Sequence, residues 1–131
     1  MIGLNLLLAT SLMAATPPSL AALHWDKRVL LVSAPNEKDP LLHDQRRVIR
    51  RWQAGAQDRD LVVVEIVGDA VSGAADAASR LRRSFGLPTA QFAVVLIGKD
   101  GGTKLRQKEP ISSAILEKTI DAMPMRRSGG R

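Results

Sequence analysis

The sequence predicts a single α/β domain in which one mixed sheet of about four strands carries helices on both faces. Three observations predict it. Two near-continuous apolar runs, Arg28–Ala34 (RVLLVSA) and Leu61–Val67 (LVVVEIV), are each followed by a segment with helical spacing. Strands alternating with helices pair in parallel through right-handed crossovers. A third apolar run, Phe92–Ile97, ends in Gly98-Lys99-Asp100-Gly101-Gly102, and the Asp-Gly there turns the next segment back as an antiparallel partner. The expected order is β-α-β-α-β-β-α.

The first 21 of the 131 residues carry no charged side chain. Ile2–Ala15 is almost wholly apolar, and Pro17 and Pro18 close the run. Ser19 and Ala21 put small residues three and one before a cut at Ala21/Ala22, the layout of a secretory signal peptide. A signal peptide over 1–21, a single domain over 22–131 and a periplasmic or secreted location are therefore expected. The apolar run is shorter than the ~20 residues of a membrane span. No later run is longer, so the mature chain should have no transmembrane segment.

Leu23–Asp26 reads as a lead-in that lays Trp25 on the edge of the domain. Arg28–Ala34 is the first strand and Pro35–Lys38 a loop. Asp39 before Pro40 suits a helix N-cap and first helical position. The helix should run to about Ala54 and stop at Gly55, with Leu41, Leu42, Val48, Ile49 and Trp52 on one face. Asp58–Asp60 is a polar turn. Leu61–Val67 is a strand covered on both faces, with Glu65 an exception near one end. Gly68–Gly73 holds a loop and the start of a helix whose face is Val71, Ala75, Ala78, Leu81 and Phe85, stopped by Gly86 and Pro88. Phe92–Ile97 and Thr103–Leu105 form the hairpin. Ile115, Leu116, Thr119, Ile120 and Met123 face inward from a last helix capped by Ser112 and Ser113 and ended by Pro124. Arg126–Arg131 is a polar tail.

All 19 Lys and Arg and all 13 Asp and Glu lie in the mature part, giving a net charge of +6. Cysteine is absent, so no disulfide forms and no lipidated cysteine tethers the chain. The core must be built from Val, Leu, Ile and Ala, because Trp25, Trp52, Phe85 and Phe92 are the aromatic side chains.

This order of elements is the core arrangement of thioredoxin-like domains. In that fold an attacking thiolate sits after the first strand, at the N-terminus of the first long helix. Ala34–Pro40 occupies that place and contains no sulfur, which excludes thiol–disulfide exchange and thiol peroxidase chemistry. The two histidines, His24 and His43, are 19 positions apart and show no zinc spacing, so no metal or other cofactor is expected. The serines lack a glycine-flanked elbow. Gly98–Gly102 leads into a strand, whereas a phosphate loop leads into a helix.

A binding or interaction module of the periplasm or cell envelope is the favoured class, with a protein or an acidic envelope polymer as partner. One alternative is anion or polymer binding through Arg46, Arg47, Arg50 and Arg51 on the exposed side of the first helix. There the pairs four apart repel by about 0.2–0.5 kcal/mol. Another is an enzyme or redox helper, which needs a titratable cluster near Asn36–Asp44. Lys99 at an exposed hairpin tip, and Arg126 and Arg127 after the last helix, complete the candidate binding residues. Aromatic residues are not interleaved with the basic ones, so no specific nucleic-acid binding is expected.

RVLLVSAP (Arg28–Pro35), Gln45, DRDLVVVEI (Asp58–Ile66), FGLPTAQFAVVLIGKDGGTKLR (Phe85–Arg106) and IDAMPMRR (Ile120–Arg127) together carry a family likeness. IGKDGG followed about twenty residues on by IDAMPMRR is the specific part. The chain resembles the domain of unknown function 4174 family of exported bacterial proteins, with related domains in sushi-repeat extracellular-matrix proteins. The resemblance covers nearly all of the mature chain. It implies a thioredoxin-like fold without redox cysteines, and export, and it implies no activity. In IDAMPMRR, Met123 and Met125 are expected to face the core around Pro124, with Asp121 paired to Arg126 or Arg127.

Overall fold

β1 is Arg28–Ala34, and all seven of its residues are buried in the computed structural model, which describes residues 16–131. Residues 1–15 of the signal peptide expected over 1–21 lie outside the described residues. β1 is buried throughout because it is central, with neighbours on both edges and helices on both faces. β2 (Leu61–Val67) runs parallel to it in a register from Arg28 opposite Leu61 to Ala34 opposite Val67. β4 (Ala93–Ile97) pairs antiparallel with its other edge, and β5 (Thr103–Gln107) pairs antiparallel with β4.

A further strand, β3 (Ala70–Ser72), pairs antiparallel with β2, so the mixed sheet has five strands in the order β3-β2-β1-β4-β5. This corrects the expectation of about four strands and of a helix beginning in this segment. Gly68 at φ 59° turns the chain, and a three-residue strand is too short to show a period. Val71 is therefore a strand residue, Ala75 lies in the following loop, and α3 is Ala78–Phe85. Gly86 closes α3 in the left-handed conformation at φ 63°, as expected of a C-terminal glycine.

α1 (Pro40–Arg51) starts as the sequence predicts, with Asp39 Oδ1 accepting from the Leu41 N–H at 2.8 Å. Its end differs. The backbone breaks at Trp52 (φ −110°, ψ 21°), and a second helix, α2 (Gln53–Asp58), runs straight through Gly55. Gly55 is needed for close approach instead of termination. A Cβ there would lie 2.1 Å from Trp52 Nε1, so the indole packs where a side chain would stand. α4 (Ser113–Asp121) is capped by Ser112, whose Oγ accepts from the Ile115 N–H at 3.2 Å. Pro124 does more than end that helix. It is the first residue of a four-residue helix, α5 (Pro124–Arg127), which takes in two residues of the expected tail.

The period of two along β1 divides the core. Leu30, Val32 and Ala34 pack with Leu42, Ala56, Leu116, Ile120 and Met123 beneath α1, α2 and α4. Val29 and Leu31 pack with Val64, Ile66, Ala78, Leu81 and Val95 beneath α3. Leu20 packs on this second side, and the exposed Pro18 is bonded to the loop before α3. The Ala75 N–H donates to Pro18 O at 3.0 Å, and the Leu20 N–H donates to Asp76 Oδ1 at 2.7 Å.

Candidate functional site

The four-arginine face of α1 is less available to ligand than its sequence implies. Arg46 donates to both oxygens of Glu65 on β2, at 2.7 and 2.9 Å, and also to Glu37. Its hydrogen bonds to Glu65, and next to Glu37, raise Arg46 above its ordinary range, and the bond from Arg46 lowers Glu37. Arg47 pairs with Asp44 at 3.0 Å. Arg50 and Arg51 have no ion-pair partner among the described residues. The carboxylates and the histidine near Asn36–Asp44 are likewise engaged: Glu37 and Asp44 by Arg46 and Arg47, His43 Nε2 2.8 Å from Glu37 O, and Asp39 as the cap of α1. Among the described residues no group of three or more His, Cys, Asp or Glu could hold a metal ion.

The remaining three candidates gather at the opposite end of the sheet, around the start of β1. Lys99 corrects its expected exposure, being 8% exposed. Its ammonium turns inward to Asp60 Oδ2 at 2.9 Å and to Arg131 O at 2.7 Å. Arg126 bridges two elements, donating to Asp58 Oδ2 at 2.5 Å and Asp121 Oδ1 at 3.1 Å. Asp121 thus pairs with Arg126, and Arg127 makes no ion pair among the described residues. Arg59, which the sequence reading passed over, lies between these groups. It donates to both oxygens of Asp121 at 3.0 and 3.1 Å and to Glu117 at 2.9 Å, with its guanidinium 5.6 Å from the Trp52 ring centroid. The DRD, IGKDGG and IDAMPMRR segments, far apart in sequence, are therefore joined by a lattice of two ion-pair sets that meet in the DRD turn, Asp60 with Lys99 and Asp58 and Arg59 with Asp121, Arg126 and Glu117.

Lys99 is shared between that lattice and a groove of about 240 Å³, lined also by Trp25, Arg28, Lys104, Met123 and Met125, with Gly98, Asp100 and Pro124 completing the wall. Met123 is buried beneath it, while Met125 faces outward at 41% exposure, against the expectation that both would face the core. The helical start at Pro124 turns the two thioethers to different sides. Trp25 is 58% exposed and stacks on His24 with ring centroids 4.7 Å apart. Its backbone is held at φ 72°, and its N–H donates to Lys99 O at 2.7 Å. An aromatic residue in the left-handed region is strained by roughly 1–3 kcal/mol, and such strain concentrates at functional sites. Arg28, Trp25, Asp58 and Asp60 were missed as site residues because their partners come from other elements, while Asp121 was expected only as the partner of Arg126 or Arg127. Trp25 alone carried a readable sign, as a large aromatic in a lead-in with no periodic face to bury it.

The lattice makes stability depend on acid. Burial pushes Asp60 up, and the Lys99 hydrogen bond and charge outweigh it, leaving the carboxyl below its ordinary value. The Arg126 hydrogen bond lowers Asp58, and the Arg59 hydrogen bond lowers Asp121. A carboxyl depressed in the folded state adds stability that is complete above its unfolded pKa of about 4 and is lost as pH falls through the folded value. The thermal midpoint should therefore hold from pH 8 to about 5 with respect to these groups and fall steadily below about 4. A midpoint unchanged between pH 5 and 2.5 would show that the lattice does not couple to folding.

A family model described as "Domain of unknown function (DUF4174)" matches residues 19–129. The chain is also similar to the sushi repeat-containing protein SRPX of Homo sapiens and of Rattus norvegicus, 30% identical in each case over 110 residues. Those matches cover 77% of this chain and 24% of each relative, so the chain spans roughly a quarter of their length.

Proposed function

The chain belongs to the family of the Domain of unknown function (DUF4174), and from that premise we propose that it is an exported binding module with a thioredoxin-like scaffold. Its site is the groove between the β4–β5 hairpin and the α4–α5 joint. The observation that carries the reading is convergence. Segments of the family likeness, IGKDGG and IDAMPMRR, meet there with a strained, exposed Trp25 over an apolar opening. Exposed large apolar side chains grouped beside a groove fit a binding site better than a folding role.

The scaffold reading is supported by the parallel β1–β2 pair, the antiparallel β4–β5 hairpin, and the placement of α1 and α4 across the sheet from α3. The region after β1, where redox relatives of such a fold act, holds Arg82 instead of sulfur. Its guanidinium donates to Ser33 Oγ, Gly68 O and Ala34 O at 3.2, 2.5 and 3.2 Å. Export is supported by the uncharged first 21 residues. A cut ahead of Pro18 is supported over one at Ala21/Ala22 by the hydrogen bonds of Pro18 and Leu20 to the domain.

The protein recovered from the periplasm or medium tests both parts. Its intact mass should place the N-terminus at or before Pro18, and a start at Ala22 refutes the earlier cut. Titration with 1-octanol, a neutral apolar probe, should shift the amide resonances of Gly98, Lys104, Met123 and Met125. A Trp25→Ala/Met125→Ala variant, altered at exposed positions, should keep its thermal midpoint and weaken octanol binding about tenfold, the equivalent of 1.4 kcal/mol. Shifts confined to other surfaces, or none at all, refute the groove.

A further inference from the structure

We infer that the groove takes a carboxylate carried on a short apolar body, with the Arg28 guanidinium as its anchor; the inference rests on the groove being the binding site. Arg28 opens β1 and is 1% exposed, yet it lines the groove. Its Nη1 donates to Arg59 O at 2.7 Å and its Nε to the thioether of Met123 at 3.3 Å. Neither acceptor carries charge, and a thioether is a weak acceptor. Among the described residues no carboxylate forms an ion pair with Arg28, and Nη2 has no hydrogen-bond partner. No wholly buried side-chain nitrogen or oxygen of the described residues lacks a partner, so Nη2 is not sealed off, and the groove is an opening that Arg28 lines.

An arginine keeps its charge, and a buried cation without a counter-ion is unfavourable until an anion meets it. The other cations of the wall are already matched, Lys99 by Asp60 and Lys104 by Asp100 at 2.9 and 2.8 Å. Arg28 is thus the wall's unmatched cation among the described residues, which suits one negative charge. The Asp100 carboxylate on the rim opposes a more highly charged group such as phosphate. Trp25, Met123, Pro124 and Met125 around it supply surface for an apolar body, and about 240 Å³ limits that body to a small molecule. The ligand class is therefore a small organic acid with an aliphatic or aryl tail.

Three probes of equal length separate this inference from the reading beneath it: octanoate, 1-octanol and octylammonium, titrated into the wild-type protein by calorimetry and amide shifts. Octanoate should bind at least about tenfold more tightly than octylammonium, the scale of one charge-assisted hydrogen bond. Equal affinities for the two ions, with octanol bound, overturn the carboxylate inference and leave the groove standing. No binding of any probe overturns both. Met125→Glu places a negative charge at an exposed rim position and so spares folding. It should weaken octanoate about tenfold more than it weakens octanol, since both lose the thioether surface and only octanoate meets the added charge, and equal losses for the two probes overturn the inference.

Discussion

Gln45→Leu is expected to lower the thermal midpoint by about 12 °C, although leucine nearly matches glutamine in volume and sits on the apolar face of α1. Gln45 is 1% exposed, and its carboxamide completes both halves of one backbone residue. Oε1 accepts the Ile111 N–H at 2.7 Å, and Nε2 donates to Ile111 O at 3.0 Å. Ile111 lies in the stretch between β5 and α4, where no strand supplies partners. Leucine would leave two buried backbone groups unsatisfied, each costing about 1–3 kcal/mol. Taking about 3 kcal/mol in all, and about 4 °C per kcal/mol for a domain of this size, gives the expected shift. Gln45→Glu should restore little, since a carboxylate accepts from the N–H but cannot donate to the carbonyl. Urea unfolding measures the same loss as a midpoint change at unchanged slope. A fall of less than about 2 °C would mean that Ile111 finds other partners when the amide is gone.

Gln45 illustrates where the sequence is legible and where it stops. A polar residue beside Leu41, Leu42, Val48 and Ile49 carries no local sign of burial, and only the family likeness singled it out. The bounds of β1 and β2, the Asp39 cap, the Ser112 cap, the Gly86 stop and the β4–β5 hairpin are written locally, in runs, caps and turn residues, and the structure has them. The groove is not written locally. Lys99 stands in a turn, where charged residues normally face solvent, and its inward direction depends on Asp60, 39 positions away. Arg46 reads as one of four mutually repelling cations until Glu65, 19 positions away on β2, is brought beside it. Arg126 meets Asp58 across 68 positions. Charges acquire their partners only through topology, so composition and spacing identified the mixed α/β sheet and misjudged which cations are free.

Gly73→Ala should cost roughly 3 kcal/mol or more, because two effects act together there. The backbone is at φ +88°, a region that L side chains rarely adopt. A Cβ would also lie 2.5 Å from Val63 O and 3.4 Å from Val64 Cα, and both belong to the main chain of β2. β2 is paired on both edges, by β1 and β3, so it cannot move aside as a flexible side chain would. Relief requires the turn after β3 to lift, which draws Ala74, buried in the core beneath α3, out of place. Gly129→Ala separates the two effects. Gly129 has the same φ of +88° with nothing within 4 Å of its would-be Cβ, and it lies in the exposed tail. Conformational strain alone should cost about 1 kcal/mol or less there. In urea unfolding the Gly73 variant should lose at least about three times the stability of the Gly129 variant. Equal losses would show that the β2–β3 corner yields, and that β3 is held by its short ladder and not by the close passage of the chain over Val63.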